Sequence, residues 1–252
     1  LTFDDGFRDN YETAFPLLRK LGVPATIFVS TGPLMDRTTL WPYRLLFWLR
    51  TAQADRVEFA PGEWREKDPL VFDLGTRRRR QWAIYSMEAE LRRLAPAERG
   101  RRLALTAKKL GFELTDDPFD HLPMLAPGEL REMAAAGIEI GSHTVTHPAL
   151  PALDRAAALG ELTESKTVLE SALGRPVRFF AYPFGKEDHF NPEIEDLVRR
   201  AGYRAACTAI RGINRRGTDP FRLLRLGVKD DAPGIFAYKL SRWRAPGAAH
   251  RR

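Results

Sequence analysis

Asp4 and Asp5 stand side by side where an apolar Leu-Thr-Phe triplet meets Gly6. Adjacent carboxylates repel, and each raises the other's pKa unless a cation lies near or one of them holds a proton. The pair therefore asks for a cation, and a metal ion would be the most useful one. A second group of potential ligands is His143 and His147, four residues apart in Gly-Ser-His-Thr-Val-Thr-His. That spacing occurs in zinc sites on helices, but the β-branched residues between the histidines disfavour a helix. The pair is expected on a loop or tight turn leaving a strand. Taken alone, it would read equally well as two surface histidines with satisfied hydrogen bonds.

Together the two groups suggest one reaction type. Two imidazoles and one carboxylate make a three-ligand site with an open position for water, as catalytic zinc requires. Such an ion draws the pKa of its water towards about 7. The second carboxylate can then accept the water's proton. One aspartate would hold metal and its neighbour would act as base.

These residues need elements to place them. Thr2 and Phe3 read as the end of a strand, and residues 10–21 as a helix with Asn10 at its N-cap and Pro16 arguing against a straight course. Residues 24–30, 137–142, 177–182, 203–209 and 222–228 read as strands. Helices are expected at 128–136, at 154–173 between Asp154 and Gly174, at 191–201 and near 231–242. This alternation predicts an α/β fold with parallel strands and helices outside, whose chemistry collects at the carboxyl ends of the strands. Asp4, Asp5, His143, His147 and the Tyr-Pro-Phe-Gly stretch 182–185 all fall at such ends. Residues 34–127 break the rhythm and read as a mostly helical insertion whose tryptophans and leucines form their own core.

Bulk composition narrows the classes. The 252 residues are 44% hydrophobic, ample for a large core. The formal charge of +7 is spread evenly, with 17 basic against 14 acidic residues over 34–128 and 23 against 19 elsewhere. A nucleic-acid reader usually concentrates its charge on one face, so no nucleic-acid partner is expected. The one dense run, Arg77 to Arg80, reads as a solvated helix face. The single cysteine, Cys207, excludes an intrachain disulfide and a thiolate metal cluster, and reads as a small buried residue. No signal peptide or membrane-spanning run is visible, but the chain starts within a strand and without Met. An N-terminal piece is expected to be missing, and the compartment stays unassigned.

Thr-Phe-Asp-Asp-Gly (2–6), His-Thr-Val-Thr-His (143–147) and Tyr-Pro-Phe-Gly (182–185), in that order, resemble the first three motifs of the polysaccharide deacetylases, the NodB homology domain of carbohydrate esterase family 4. The resemblance covers most of the chain outside the insertion. It implies a distorted (β/α) barrel, with residues 1–252 as one domain carrying the helical insertion 34–127. It also implies hydrolysis of acetyl groups, N-linked and sometimes O-linked, from an acetylated sugar or polysaccharide. By motif, Asp5, His143 and His147 would be ligands to a divalent metal, for which zinc suits the donors best, and Asp4 would be the base. The backbone N–H of Phe184 would stabilise the oxyanion, and Tyr182 and Phe184 would wall the groove. Tyr182 reads equally well as strand-end packing.

The sequence departs from that pattern twice. The family's third motif carries an arginine two residues before its proline, where Ala181 stands here, and its last motif carries a histidine that is absent from Phe-Arg-Leu-Leu-Arg-Leu-Gly-Val. Arg225 is expected to orient Asp4 or to stabilise the oxyanion. His189 is the candidate acid for the leaving group; otherwise Asp4 returns the proton, or the leaving group is an alcohol that needs less help. His121 reads as non-catalytic, Asn214 as a turn former, and Arg8 and Asn10 as turn or cap residues in preference to substrate contacts. Two other readings stay open. One is a carbohydrate-binding or assembly protein that has lost turnover on the same fold. The other is a hydrolase of small amides. Whether the insertion serves a membrane or protein partner is left open by the sequence.

Overall fold

The computed structural model describes residues 1–114, 117–228 and 232–241. Along the chain, β1 (Thr2–Phe3) leads into a π-helical turn, Asn10–Ala14, and α1 (Phe15–Leu21). Pro16 sits in the first turn of α1, where its missing N–H costs nothing. The helix expected over 10–21 is therefore continuous, Ala14 and Phe15 both having right-handed helical backbone, and it changes from π to α pitch just before the proline. Asn10 is not the cap: Asp9 precedes the turn, and the Asn10 amide donates to the carbonyl of Phe7 at 2.8 Å.

β2 (Thr26–Val29) follows, then α2 (Thr31–Asp36) and α3 (Trp41–Thr51). Next come β3 (Arg56–Phe59), β4 (Leu70–Asp73), α4 (Arg77–Leu91), α5 (Pro96–Lys109) and α6 (Pro127–Ala135). The remainder alternates: β5 (Glu139–Ser142), α7 (Arg155–Leu173), β6 (Phe179–Ala181), α8 (Pro192–Arg200), β7 (Ala205–Arg211), β8 (Leu223–Arg225) and α9 (Pro233–Ser241). Of the last expected helix, residues 231 and 242 lie outside the described ones. Asp154 caps α7 by accepting from Ala157 N–H, and Gly174 closes it in the left-handed conformation.

Six strands form one sheet in the order β1-β2-β5-β6-β7-β8, and every neighbouring pair is parallel. The sheet curls into half a barrel with helices outside, the architecture that strand–helix alternation dictates. Its core runs through Ile27, Ile140, Leu162, Phe180 and Leu197, all essentially inaccessible to solvent. Cys207 on β7 is half-buried rather than buried.

Residues between β2 and β5 build a second core around Leu45, Trp48, Phe59, Phe72 and Met87. It is not purely helical. β3 and β4 pair antiparallel, Arg56 opposite Asp73, and β3 turns Val57 and Phe59 inward while Arg56 and Glu58 face solvent. That period-two pattern is short and lies among helices, which is why composition alone favours helix throughout.

Candidate active site

Asp4 and Asp5 leave the carboxyl end of β1 in opposite directions. Gly6 makes this possible: its φ is +86°, and a Cβ there would come within 2.9 Å of the Val29 side chain. Asp5 turns towards the histidines. Its Oδ1 lies 3.4 Å from His143 Nε2 and 3.3 Å from His147 Nε2, and one donor atom from each residue falls within 4.8 Å of the other two. Burial alone would raise the Asp5 carboxyl, but the two imidazoles against it reverse this and hold it well below the usual carboxylate range. His143 sits at 2.7 Å from the Ala181 carbonyl through Nδ1, so that nitrogen carries a proton and Nε2 is the ring atom turned to the cluster. Burial would lower His143, and Asp5 and Asp4 outweigh it and raise it.

Asp4 turns instead to Arg225 on β8. Arg225 Nη1 donates to Asp4 Oδ1 at 2.6 Å and Nη2 to Oδ2 at 2.7 Å, while Nε donates to the Thr208 carbonyl. Burial would lower the guanidinium, and the pair with Asp4 more than offsets it.

The histidine loop is held from below by Glu161 of α7, which accepts from the N–H groups of Val145 and Thr146 and from the Thr146 hydroxyl. Trp41 of α3 donates its indole N–H to the His147 carbonyl. Tyr43, also on α3, donates its hydroxyl to Asp5 Oδ2 at 2.6 Å. Burial, then the charge of Asp5, raises the Tyr43 phenol far above its ordinary value, so it stays a donor. Nothing in the sequence links Tyr43, Trp41 or Glu161 to the motifs, because each reaches the site from a separate element.

Backbone strain marks the same place. Among the described residues, five other than glycine have left-handed φ: Asp5 (74°), Arg37 (53°), Thr144 (68°), His147 (54°) and Phe184 (61°). Four of the five belong to the three motifs. Such conformations cost on the order of 1–3 kcal/mol each and persist where the surroundings over-determine them, typically at functional sites.

These groups open on a cleft of about 420 Å³. Its floor is Asp4, Asp5, His143, His147 and Arg225; its walls include Tyr43 and Leu46 of α3 and Ile84, Tyr85 and Glu88 of α4. Phe184 also borders it, with its ring edge-on to His147 at 4.7 Å between centroids and under the Arg92 guanidinium. Tyr182 borders the cleft too, but its side chain is turned into the core: it is 1% exposed, stacks on Phe190, and donates its hydroxyl to Phe221 O.

His189 is not brought to the cleft. It is 2% exposed, packed behind the Phe184 ring at 5.3 Å, with Arg92 Nη1 3.3 Å from its Nε2. Burial, aided by Arg92 and Lys186 and opposed by Asp188, lowers its pKa. An acid must reach the leaving group, and the Phe184 ring stands between. Arg8 pairs with Glu129, His121 is exposed, and Asn214 bridges both backbone groups of Leu224.

A carboxylate and two imidazoles, gathered at the carboxyl ends of a parallel half-barrel with a second carboxylate alongside, are the equipment of a metal-assisted hydrolase. The family model for polysaccharide deacetylase matches residues 1–206, and the chain belongs to that family of hydrolases. YxkH of Bacillus subtilis (strain 168), which carries the same family's name, is 22% identical over 235 residues, 93% of this chain and 52% of YxkH. The chain thus spans about half the length of that relative. Among solved structures, the deacetylase PplD of Streptococcus pyogenes, in complex with acetate, superposes with a TM-score of 0.57 at 19% identity, covering 98% of this chain and 70% of PplD. IcaB of Ammonifex degensii gives 0.56 at 19%, covering 96% and 70%. At this level of identity the superpositions speak for the fold.

Proposed function

We propose that the protein is a metal-dependent hydrolase that removes acetyl groups from an acetylated carbohydrate or polysaccharide. The carrying observation is the split of two adjacent aspartates, Asp5 to two histidines and Asp4 to an arginine, over one cleft.

Asp5, His143 and His147 would hold a divalent cation. The donor set fits one: a carboxylate and two imidazoles converge, and His143 is fixed in the tautomer that offers Nε2. Zinc suits these donors best. When bound, the cation supplies Lewis-acid activation of water and of the acetyl carbonyl.

The remaining work falls to the chain. Arg225 grips both oxygens of Asp4 and fixes its direction. Asp4 takes a proton from the attacking water. As the carbonyl oxygen gains charge, the backbone N–H of Phe184 donates to it. The left-handed turn at Phe184 and Gly185 sets that N–H, and it depends on Gly185, where a Cβ would come within 2.5 Å of Ala209 N. With His189 behind Phe184, Asp4 returns its proton to the departing nitrogen or oxygen as acetate leaves. Tyr85, 62% exposed on the cleft wall, offers a ring face for a sugar to stack on.

The test is acetate release from acetylated sugars by protein stripped of metal and then given zinc. Release that returns with zinc and vanishes in Asp4→Asn supports the reading. Zinc binding without release from any acetylated glycan favours the second reading, a carbohydrate-binding protein on the same fold. One observation speaks for that alternative: among the described residues only His143 and His147 bring imidazoles to the cleft.

A further inference from the structure

The run Arg77 to Arg80 forms the first turn of α4. Positive charge at a helix N-terminus opposes the helix dipole, and no acidic residue stands in that turn to offset it. Two of the four have local duties. Arg79 pairs with Asp73 at 2.7 Å. Arg80 donates to the carbonyls of Leu49, Ala52 and Ala54, closing the end of α3.

Among the described residues, Arg77 has no such duty. It borders a second cavity, of about 370 Å³, with Arg50, Arg80, Gln81 and Ile84. Among the described residues, no carboxylate lines this cavity. The described side-chain partner of Arg50 is the amide oxygen of Gln81 at 3.4 Å, a weak contact that leaves its charge uncompensated. The guanidiniums of Arg50 and Arg77 therefore border one space without a counter-charge among the described residues, and Arg80, held at the end of α3, adds its charge beside them. That space adjoins the active-site cleft, because Arg50, Gln81 and Ile84 line both.

Guanidinium groups bind carboxylate and phosphate through paired N–H donors, and the N-terminus of α4 adds its positive end. We infer that this cavity is an anion-binding subsite, and that the acetylated glycan carries a carboxylate or phosphate group close to its acetylated sugar. The inference rests on the deacetylase reading for what occupies the neighbouring cleft. It goes further in naming the substrate's class: an anionic rather than a neutral glycan.

The experiment uses the zinc-loaded full chain and three tetramers of N-acetylglucosamine: neutral, oxidised at C6 to carboxylates, and phosphorylated at one end. Binding is titrated directly, and acetate release is measured in parallel. An exposed charge pair is worth roughly threefold in affinity, so two arginines should favour a charged tetramer by about tenfold. The preference should fade with added salt. Arg50→Gln and Arg77→Gln should each reduce the charged-to-neutral ratio about threefold. Which charged tetramer gains identifies the anion as carboxylate or phosphate.

Equal affinity for all three, binding of none, or variants that weaken neutral and charged tetramers alike would overturn the subsite. Acetate release at equal efficiency from all three, alongside equal binding, overturns the subsite and leaves the deacetylase reading intact. Arginine-dependent binding of a charged tetramer without acetate release keeps the subsite and removes the hydrolytic reading.

Discussion

Arg225 and Asp4 meet fork to fork, Nη1 on Oδ1 at 2.6 Å and Nη2 on Oδ2 at 2.7 Å, across 221 residues of chain. They join the two edge strands of the curled sheet, β1 and β8. Arg225 also reaches the Thr2 hydroxyl with Nη1. The arginine expected two residues before the third motif's proline is replaced by Ala181, which is fully buried and supplies only its carbonyl, to His143. The guanidinium thus comes from a different strand to a carboxylate in the expected place.

Removing that fork should cost turnover more than binding. Charge-assisted hydrogen bonds are worth roughly 1.5–3 kcal/mol, so Arg225→Ala is expected to lower kcat about 10- to 100-fold. Arg225→Lys should recover part of the loss, since a point charge replaces a planar fork. Zinc content should not change in either variant. Steady-state kinetics beside metal analysis checks this, and undiminished kcat in Arg225→Ala would sink the role.

Tyr43 gives a prediction that needs no substrate. Its hydroxyl donates to Asp5 Oδ2, and outer partners of metal ligands typically contribute 10- to 100-fold in affinity. Tyr43→Phe should therefore weaken zinc binding by about tenfold while the fold survives. The readout is the zinc Kd from competition with a chelating dye.

Metal should also stabilise the folded chain. A ligand at a hundred times its Kd adds about 2.7 kcal/mol, which for a chain of this length raises Tm by roughly 5–10 °C. His147→Ala should abolish the zinc-dependent rise. Thermal melts with and without zinc decide it, and an equal rise in the variant would move the metal elsewhere.

Glu161 should matter for stability and aim together. It accepts from three donors beneath the histidine loop and is 9% exposed. Glu161→Ala leaves the buried Val145 N–H without its partner and frees the part-buried donors of Thr146, at a cost of about 1–3 kcal/mol. Urea unfolding would show a lower midpoint, and Glu161→Gln should restore part of it. A neutral result would mean that water replaces the carboxylate.

His189 is the negative control. Loss of a general acid costs 10²- to 10⁴-fold. Because the Phe184 ring screens His189 from the cleft, His189→Asn should change kcat by less than about threefold. A hundredfold loss would return the acid role to this residue.

The ease of reading this chain varied with where its chemistry is carried. Asp4, Asp5, His143 and His147 announce themselves because each pair lies within a few residues, and neighbouring charges or imidazoles are hard to explain as packing. The alternating strands were legible for a similar reason, since short β-branched runs between capped helices leave few alternatives. Arg225 could be placed only in the right stretch of chain; its contact depends on how far the sheet curls. Tyr43 gave no signal, because a tyrosine in an aromatic helix looks like core until the helix is laid over Asp5. His189 is hard to read for the opposite reason. It is five residues from Phe184 in sequence, yet the chain turns so that the ring of one screens the other.

The bond between the first strand and the last also has a bearing on biosynthesis. Asp4 leaves the ribosome 221 residues ahead of Arg225. Until β8 has emerged and paired, a nascent chain can bring Asp5 to both histidines but cannot aim Asp4. On the proposed reading, activity waits until residue 225 has emerged, and a product truncated before it would gather metal without hydrolysing substrate.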